Sequence, residues 1–314
     1  MTSAPGKPAK IRIALGSGDA LRRRVVSPMT VLHVLLALFA SAALACQEPR
    51  SGAPERCDDR PVRMGVASSL REIALDLRDE LASREQPLEV ETIFGSSSVH
   101  ARQLRLGAPL DLLISADAEI VDGLVESRLL ARGSDIEIAR GRLSLVARPD
   151  WPIPASASSR IESDPTAAVR EVLASADLER IAIPPSSVPL GRYARAWLEG
   201  NDLLEGLAGR IVSTEHARAT LSVADAGLVD LAIVYSSDAR LAKTTVVVAQ
   251  IEPDEHPPIR YVGARVADAT DCPSVDEALA SWSAPRTQER FAELGFLPPE
   301  TKDRAGSDQL GATP

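Results

Sequence analysis

The sequence predicts an α/β fold of two lobes with a cleft between them, and three observations support this interpretation. The 314 residues are enough for two domains of ordinary size. Apolar residues make up 45% and charged residues 25% of the chain, which is the usual balance of a globular protein. Short apolar segments alternate with segments of helical periodicity along most of the sequence, a pattern typical of sheets covered by helices.

Three strand–helix units begin the predicted first lobe. Each consists of a short apolar strand, a turn and an amphipathic helix. The strands are expected at residues 63–67, 88–94 and 110–115, and the helices at residues 70–83, 99–106 and 118–126. Repetition of this unit predicts a parallel sheet with helices on its faces.

A second set of elements follows an apolar strand expected at residues 141–148 and a Pro/Ser-rich segment at 149–160. It comprises strands at 180–183, 211–213, 231–235 and 244–249, and helices at 191–198 and 217–226. A strand at 259–266 and helices at 275–282 and 287–294 then return to the first lobe. The two crossings assign residues 61–140 and 259–300 to lobe I and residues 141–258 to lobe II, with a ligand cleft between them. Residues 301–314 are polar and are expected to form a disordered tail.

Residues 1–45 have the features of a signal peptide. Three arginines at 22–24 precede an apolar run of about fifteen residues that ends in small residues before Cys46. This run is shorter than the ~20 residues that a membrane-spanning helix needs. We therefore expect export from the cytoplasm, with the polar residues 46–60 as a flexible tether ahead of the folded body.

The three cysteines, Cys46, Cys57 and Cys272, leave one thiol unpaired in an exported chain unless one of them is modified. Residues 43–45 form an A-x-A cleavage site, while Leu44-Ala45-Cys46 partly resembles the lipobox at which bacterial lipoproteins are acylated. Acylation of Cys46 would leave Cys57 and Cys272 to form a disulfide, because Cys57 precedes the first strand of lobe I and Cys272 follows the strand that returns to it. Such an anchor is the only membrane contact that we expect.

Composition argues against sugars and nucleic acids as partners. Aromatic residues make up 3% of the chain, whereas proteins that hold sugars or single-stranded nucleic acid stack them on aromatic rings. Six of the 35 basic residues but only one of the 44 acidic residues lie in residues 1–45. The remaining body is therefore more acidic than the formal net charge of −9 suggests, and it would repel nucleic acid.

Enzyme chemistry finds little support in the sequence. Beyond the leader the chain has three histidines, His100, His216 and His256, in no metal-binding or triad pattern. The sequence contains no GxGxxG, no P-loop and no GxSxG. We expect the histidines to be solvated surface residues, and we expect no catalytic residue and no cofactor.

Hydroxyl side chains stand where predicted strands meet helices, at Ser68 and Ser69, at residues 96–98 and at Tyr235. Serines at such positions commonly cap helices. Helix N-termini that converge on a cleft also offer free N–H groups and positive dipole ends to an anion. Neutral donors of this kind could bind a tetrahedral oxyanion without a lysine or arginine beside it.

Five segments in order make the chain resemble the molybdate-binding proteins of bacterial molybdate ABC transporters. They are residues 66–70, 94–104, 107–117, 188–194 and 233–239, and the likeness ends with 289–296. The resemblance implies a type II periplasmic binding protein that works as a monomer and catalyses no reaction. Such a protein closes its two lobes on molybdate or tungstate and delivers the anion to a membrane permease. The implied location is the periplasm or the outer face of a membrane.

The resemblance also implies a set of binding residues. By motif position, the hydroxyls of Ser69, Ser97 and Tyr235 and the backbone N–H groups of Leu190 and Ala217 hold the oxyanion, with no direct metal ligand. Leu190 stands where the family commonly has a small residue. Other polar side chains in these segments have other expected roles: Asp111 and Asp117 cap turns or accept interlobe hydrogen bonds, and Tyr193 packs within its helix.

Two alternatives remain open from the sequence. Sulfate or another small oxyanion suits the same neutral donors, although the lack of an Asp among the implied ligands disfavours phosphate. A more remote alternative is an enzyme or sensor domain on the same fold, and the absence of a nucleophile–base pairing argues against it.

Overall fold

The computed structural model describes residues 60–269 and 272–300. The predicted signal peptide (1–45), all of the tether except Arg60, the tail (301–314), Cys46 and Cys57 lie outside the described residues. The strands are β1 (Val62–Ala67), β2 (Val90–Gly95), β3 (Leu112–Ser115), β4 (Ile136–Gly141), β5 (Leu143–Ala147), β6 (Ile181–Ala182), β7 (Ile211–Val212), β8 (Leu231–Tyr235), β9 (Val246–Ile251) and β10 (Ile259–Arg265).

The α-helices alternate with these strands. They are α1 (Arg71–Ala82), α2 (Ser97–Arg105), α3 (Ala118–Glu126), α4 (Ala155–Arg160), α5 (Pro165–Leu173), α6 (Pro189–Gly200), α7 (Ala217–Asp225), α8 (Ser236–Ala239), α9 (Pro273–Ser281) and α10 (Pro285–Glu293). Short 3₁₀ turns occupy Ser68–Leu70 and Glu205–Leu207. Within the described residues, no helix is long and apolar enough to cross a membrane.

The strands of residues 60–269 and 272–300 form two five-stranded sheets, one in each lobe. The first sheet has the order β2-β1-β3-β10-β4, and the second has the order β7-β6-β8-β5-β9. The first sheet therefore takes its strands from residues 62–141 and 259–265, and the second takes its strands from residues 143–251. The prediction of an α/β fold with two lobes is confirmed.

Both sheets are mixed, so the prediction of a parallel sheet holds for the three strand–helix units of the first lobe but not for the strand that returns to it. In the first sheet, β1 runs parallel to β2 and β3, but β10 runs antiparallel to β3 and β4. The reason is the path between the lobes, because β10 starts at Ile259 opposite Gly141, where β4 leaves the sheet. A chain that returns at the end where it left must run in the opposite direction. In the second sheet, β5 likewise pairs antiparallel with β8 and β9.

The chain crosses between the two sheets within a single residue. The strand expected at residues 141–148 is the end of β4 and the whole of β5, which are separated only by Arg142. Most of β4 was not predicted, because Ile136–Gly141 contains two charged residues. Nor were α4, which lies in the Pro/Ser-rich segment, and α5, which follows it.

Apolar side chains at helical spacing hold α1 against the first sheet. Ile73, Ala74, Leu77 and Leu81 are almost completely buried and belong to the same cluster as Met64 and Val66 of β1. This cluster extends into the second lobe through Leu190 and Tyr235. The two lobes therefore share apolar packing beside the cleft.

Two histidines are buried, so the prediction of solvated surface histidines is wrong for them. His256 is 6% exposed and His100 is 1% exposed. A Cβ on Gly65 or Gly95 would lie 3.2 or 3.1 Å from the His100 ring, so the two glycines leave room for it between β1 and β2. Burial lowers the pKa of both histidines, and their hydrogen bonds oppose this shift only in part. His216 is half-buried and caps α7, where its Nδ1 accepts the N–H of Ala219.

Candidate anion-binding site

The residues implied by the sequence as oxyanion ligands surround one small cavity between the lobes. Its volume is about 10 Å³, far less than the ~300–1,000 Å³ of pockets for drug-sized ligands. The first lobe lines it with Ala67, Ser68, Ser69, Gly95, Ser96, Ser97 and Ala116, and the second lobe with Val188, Pro189, Leu190, Ala217 and Tyr235. The cavity therefore suits a small inorganic ion.

Helix starts surround the cavity on several sides. In the described part of the chain, four helical segments begin there: the 3₁₀ turn at Ser68, α2 at Ser97, α6 at Pro189 and α7 at Ala217. The first N–H groups of a helix have no partner within it and carry a partial positive charge. Proline at the first position of α6 has no N–H, so Leu190 supplies the first free N–H of that helix. The cavity is thus surrounded by hydrogen-bond donors.

Two buried hydroxyls at the cavity have no hydrogen-bond partner among the described residues. They are Ser69 Oγ and Tyr235 OH. The hydroxyl of Tyr261 lies near Ser69, but it also lacks a hydrogen bond of acceptable geometry. A buried polar group without a partner costs free energy, about 1–3 kcal/mol each. Two such groups at one cavity indicate that a polar ligand satisfies them.

Ser97 is held in a different way. Its oxygen accepts the N–H of Ala116 at 2.9 Å, which leaves its hydroxyl hydrogen free to donate. The neighbouring Ser96 is the N-cap of α2 and accepts the N–H of Val99 at 3.3 Å. Ser98 does not line the cavity. Of the three consecutive serines, Ser97 is therefore the one that the fold positions as a donor.

The side chain of Leu190 belongs to the core. It is 1% exposed and packs in the cluster that joins the lobes, so its bulk fills the structure beside the cavity. Tyr193 lies outside the cavity lining and packs below the guanidinium of Arg192, 5.0 Å from its ring centroid. Packing of Tyr193 within its helix is what the sequence analysis predicted.

The cavity contains neutral groups only. Within the described residues, no Lys, Arg, His, Asp, Glu or Cys side chain lines it. Burial raises the pKa of Tyr235 well above its ordinary value, so this residue stays a neutral donor at physiological pH. No group of three or more His, Cys, Asp or Glu in the described residues is arranged to hold a metal ion. The arrangement therefore provides hydrogen bonds without a full charge or a nucleophile.

Two arginines of the second lobe reach across the cleft beside the cavity. Arg192 pairs with Asp117 and Glu119, and Arg218 pairs with Glu72. Asp117 also caps α3 by accepting the N–H of Glu119 at 3.0 Å, so its predicted roles as cap and interlobe acceptor are confirmed.

Among the described residues, the carboxylate of Asp111 contacts the segment at the start of β1 and no residue of the second lobe. Its carboxylate accepts the backbone N–H of Arg63 at 2.8 Å and pairs with Arg60. It therefore fixes the entry to β1 and does not join the lobes.

Several residues near the cavity were missed from the sequence. Asp238 is completely buried, and burial raises its pKa to about 7 although Arg218 opposes the shift. Tyr261 of β10 packs against Tyr235 with ring centroids 5.9 Å apart. Asp238 lies in segment 233–239, which resembles the family, and Arg218 directly follows Ala217. Their closeness in sequence to the implied ligands is the signal from which both could have been predicted.

The fold and this cavity define a two-lobed binding protein for a small solute. The chain belongs to the family of bacterial extracellular solute-binding proteins, whose model matches residues 62–297.

Individual proteins that are similar to this chain are also binding proteins. The molybdate-binding protein ModA of Escherichia coli is 28% identical over 262 residues, which cover 83% of this chain and 97% of that protein. The periplasmic molybdate-binding protein of Azotobacter vinelandii has a similar fold, with a TM-score of 0.64 and 19% identity over 76% of this chain and all of that one. The sulfate-binding protein SubI of Mycobacterium tuberculosis follows with a TM-score of 0.62 and 17% identity, covering 76% of this chain and 86% of that one.

Proposed function

We propose that this protein is an extracytoplasmic solute-binding protein that captures molybdate or tungstate and delivers it to an ABC transporter permease. The observation that carries the proposal is the neutral cavity between the lobes, with the unpartnered hydroxyls of Ser69 and Tyr235 on opposite sides of the cleft. The likeness of the chain to molybdate-binding proteins over most of its length supports this choice of anion.

Binding of the anion follows from the geometry of the donors. Hydroxyl hydrogens come from Ser69, Ser97 and Tyr235, and helix N-termini supply the N–H groups of Leu190 and Ala217. Hydrogen bonds to a charged group contribute about 1.5–3 kcal/mol each, so a few of them provide high affinity without a cationic side chain. Because donors come from both lobes, the anion is held fully only when the cleft is closed.

Sulfate is the second candidate, because a tetrahedral dianion suits the same neutral donors and a sulfate-binding protein shares the fold. The size of the cavity is what separates the two ligands. A protonated phosphate would need an acceptor, and among the described residues no carboxylate lines the cavity.

Calorimetric titration of the mature protein with molybdate, tungstate and sulfate tests the proposal. We expect heat of binding with molybdate and tungstate and none with sulfate. Binding of sulfate alone would replace the proposed ligand, and binding of none of the three would overturn the proposed function.

The proposal extends to the oligomeric state of the protein, its export and its attachment to the membrane. We propose that the protein acts as a monomer without a cofactor or catalytic activity, and that a signal peptide (1–45) directs its export. Acylation of Cys46 would anchor it to the membrane, and the variant Cys46→Ser should then move from the membrane fraction to the soluble fraction. An unchanged distribution would contradict the anchor.

A further inference from the structure

Arg218 joins the two lobes at the edge of the oxyanion cavity. Its Nε lies 3.1 Å from Oδ1 of Asp238 in the second lobe and 3.4 Å from the carbonyl oxygen of Ser68 in the first lobe. A terminal nitrogen of the same guanidinium pairs with Glu72, also in the first lobe. The Arg218 side chain is 17% exposed and Asp238 is fully buried, so these contacts are largely shielded from water.

Arg218 lies beside one proposed anion donor in each lobe. It follows Ala217 at the start of α7, and the carbonyl that it contacts precedes Ser69. The carbonyl of Ser68 and the N–H of Ser69 belong to one planar trans peptide, so they point in opposite directions. The Ser68 carbonyl accepts the N–H of Arg71 and a contact from Arg218, so both help to fix the orientation of the Ser69 peptide.

The contacts of Arg218 divide by lobe. Asp238 belongs to the same lobe as Arg218, so their contact persists when the lobes separate. The contacts with Glu72 and with Ser68 cross the cleft and must break before the cavity opens. Opening of the cleft therefore costs these interactions in addition to those of the anion.

We propose that Arg218 is a positioning residue that latches the closed lobes and orients the Ser69 peptide, and thereby slows release of the bound oxyanion. The inference rests on the proposed function and adds to it a residue that does not touch the ligand. Asp238 lies at ion-pair distance from the guanidinium within the second lobe, although its oxygens accept no hydrogen bond among the described residues, and Glu72 is the partner of Arg218 across the cleft.

The variant Glu72→Gln tests the latch without disturbing the cavity. Glu72 is partly exposed and does not line the cavity. Because Arg218 keeps Asp238 beside it, the substitution does not leave the guanidinium without an acidic partner. We expect molybdate to dissociate about three- to tenfold faster, with little change in the association rate, because the lost contact exists only in the closed protein. Stopped-flow kinetics measures both rates.

Glu80→Gln is the matched control. Glu80 lies on the same helix as Glu72 but pairs with Arg84 and Arg286 of its own lobe. The same change of charge on α1 should leave both rate constants unchanged. Equal acceleration in the two variants would show that the charge of the helix, and not the latch, controls release, and would overturn the proposal.

Arg218→Lys separates the charge of the latch from its geometry. Lysine keeps the positive charge but cannot reach three acceptors with a planar fork. We expect it to release molybdate nearly as fast as the double variant Arg218→Gln/Asp238→Asn, which removes the guanidinium without leaving the buried carboxylate unpaired. Full retention of the parent dissociation rate by Arg218→Lys would overturn the orienting role.

Titration of the parent protein separates failure of the latch from failure of the proposed function. If the parent protein binds tungstate or sulfate instead of molybdate, the same kinetic comparison is made with that anion. If it binds none of them, the proposed function fails by that result alone, and small-angle scattering then tests the latch. Glu72→Gln should be more expanded than Glu80→Gln, and identical profiles would overturn the proposal.

Discussion

Ser69 and Ser97 are both buried serines at the cavity, yet their oxygens have different partners. Ser97 accepts the N–H of Ala116, so it serves the fold as well as the site. Ser69 Oγ has no hydrogen-bond partner among the described residues. Loss of a used hydroxyl costs stability, whereas loss of an unused one does not.

Replacement of each serine by alanine should separate affinity from stability. Ser69→Ala and Ser97→Ala should each weaken molybdate binding by about 1.5–3 kcal/mol, the contribution of a hydrogen bond to a charged group. Only Ser97→Ala should also lower the free energy of unfolding, by about 1–3 kcal/mol, because it leaves the Ala116 N–H buried without a partner. Titration calorimetry and denaturant unfolding measure the two quantities.

Ser98→Ala is the control for the serine variants, since Ser98 lies outside the cavity lining. Tyr235→Phe should weaken binding as Ser69→Ala does, while the protein without ligand keeps its stability. Normal affinity in Ser69→Ala, Ser97→Ala and Tyr235→Phe would show that the anion binds elsewhere.

Asp238 should make the stability of the protein depend on pH. Burial raises its pKa from 3.8 to about 7, so the folded protein binds this proton more tightly than the unfolded chain. Stability from this group is complete below about pH 4 and is lost as the pH rises toward 7, since the unfolded chain then binds fewer protons. Asp238→Asn should therefore lose less stability than the parent protein between pH 5 and 8.

Denaturant unfolding of the two proteins at several pH values measures this difference. Subtraction of the two profiles cancels the contributions of the other titrating groups, including the buried His100 and His256. Identical pH profiles would show that Arg218 keeps Asp238 ionised in the folded protein.

At the scale of elements, α6 depends on a close approach of two backbone segments. A Cβ on Gly191 would lie 2.2 Å from the carbonyl oxygen of Pro185 and 2.4 Å from that of Pro184, which is too close for any side chain. Glycine at this position therefore lets the first turn of α6 lie against the residues that precede it. That first turn contains the N–H of Leu190.

Gly191→Ala should displace the start of α6 and weaken both folding and molybdate binding. Gly200→Ala at the other end of the same helix is the matched control, because a Cβ there meets no atom within 4 Å. We expect Gly191→Ala to cost about 1–3 kcal/mol of stability, as overpacking of a well-packed site does, and Gly200→Ala to cost none. Thermal melts and calorimetry check both effects, and equal behaviour of the two variants would contradict this explanation.

The sequence allowed most elements to be predicted where apolar spacing is regular, as in α1 and β8. The parallel direction of β1, β2 and β3 was predicted correctly, but that of β10 was not, because local patterns say nothing about the end of a sheet at which β10 re-enters. The crossing between the two sheets at Arg142 could not be predicted either, because β4 and β5 follow one another without a turn signal. Such features are set by the path of the chain between lobes.

The lining of the cavity could be predicted because its donors stand at helix starts, which local sequence marks. Partners that meet across the cleft, such as Arg218 and Glu72, are 146 residues apart in the chain and carry no local signal. The burial of His100 was also unpredictable, because it depends on the glycines of two neighbouring strands.

At the scale of the whole molecule, the connection made by Cys272 matters most. Cys272 is disulfide-bonded and 1% exposed, while Cys57, its predicted partner, lies outside the described residues. A bond between them would close a loop of about 215 residues and contribute at most ~5 kcal/mol by the chain-entropy model.

Cys57→Ser should therefore lower the melting temperature and expose the thiol of Cys272 to labelling. Cys46→Ser should do neither, and it serves as the control. Labelling of both Cys57 and Cys272 in the purified exported protein would contradict the pairing.

The place of β10 in the first sheet sets the order in which the lobes can be completed. All strands of the second sheet lie between Leu143 and Ile251, so this sheet can form before β10 is synthesised. The first sheet begins earlier in the chain but keeps a gap between β3 and β4 until β10 fills it. Until then, β3 and β4 expose unpaired strand edges, which are prone to aggregation. The lobe that is synthesised first is thus the last to finish folding, and the newly made chain is most prone to aggregate there.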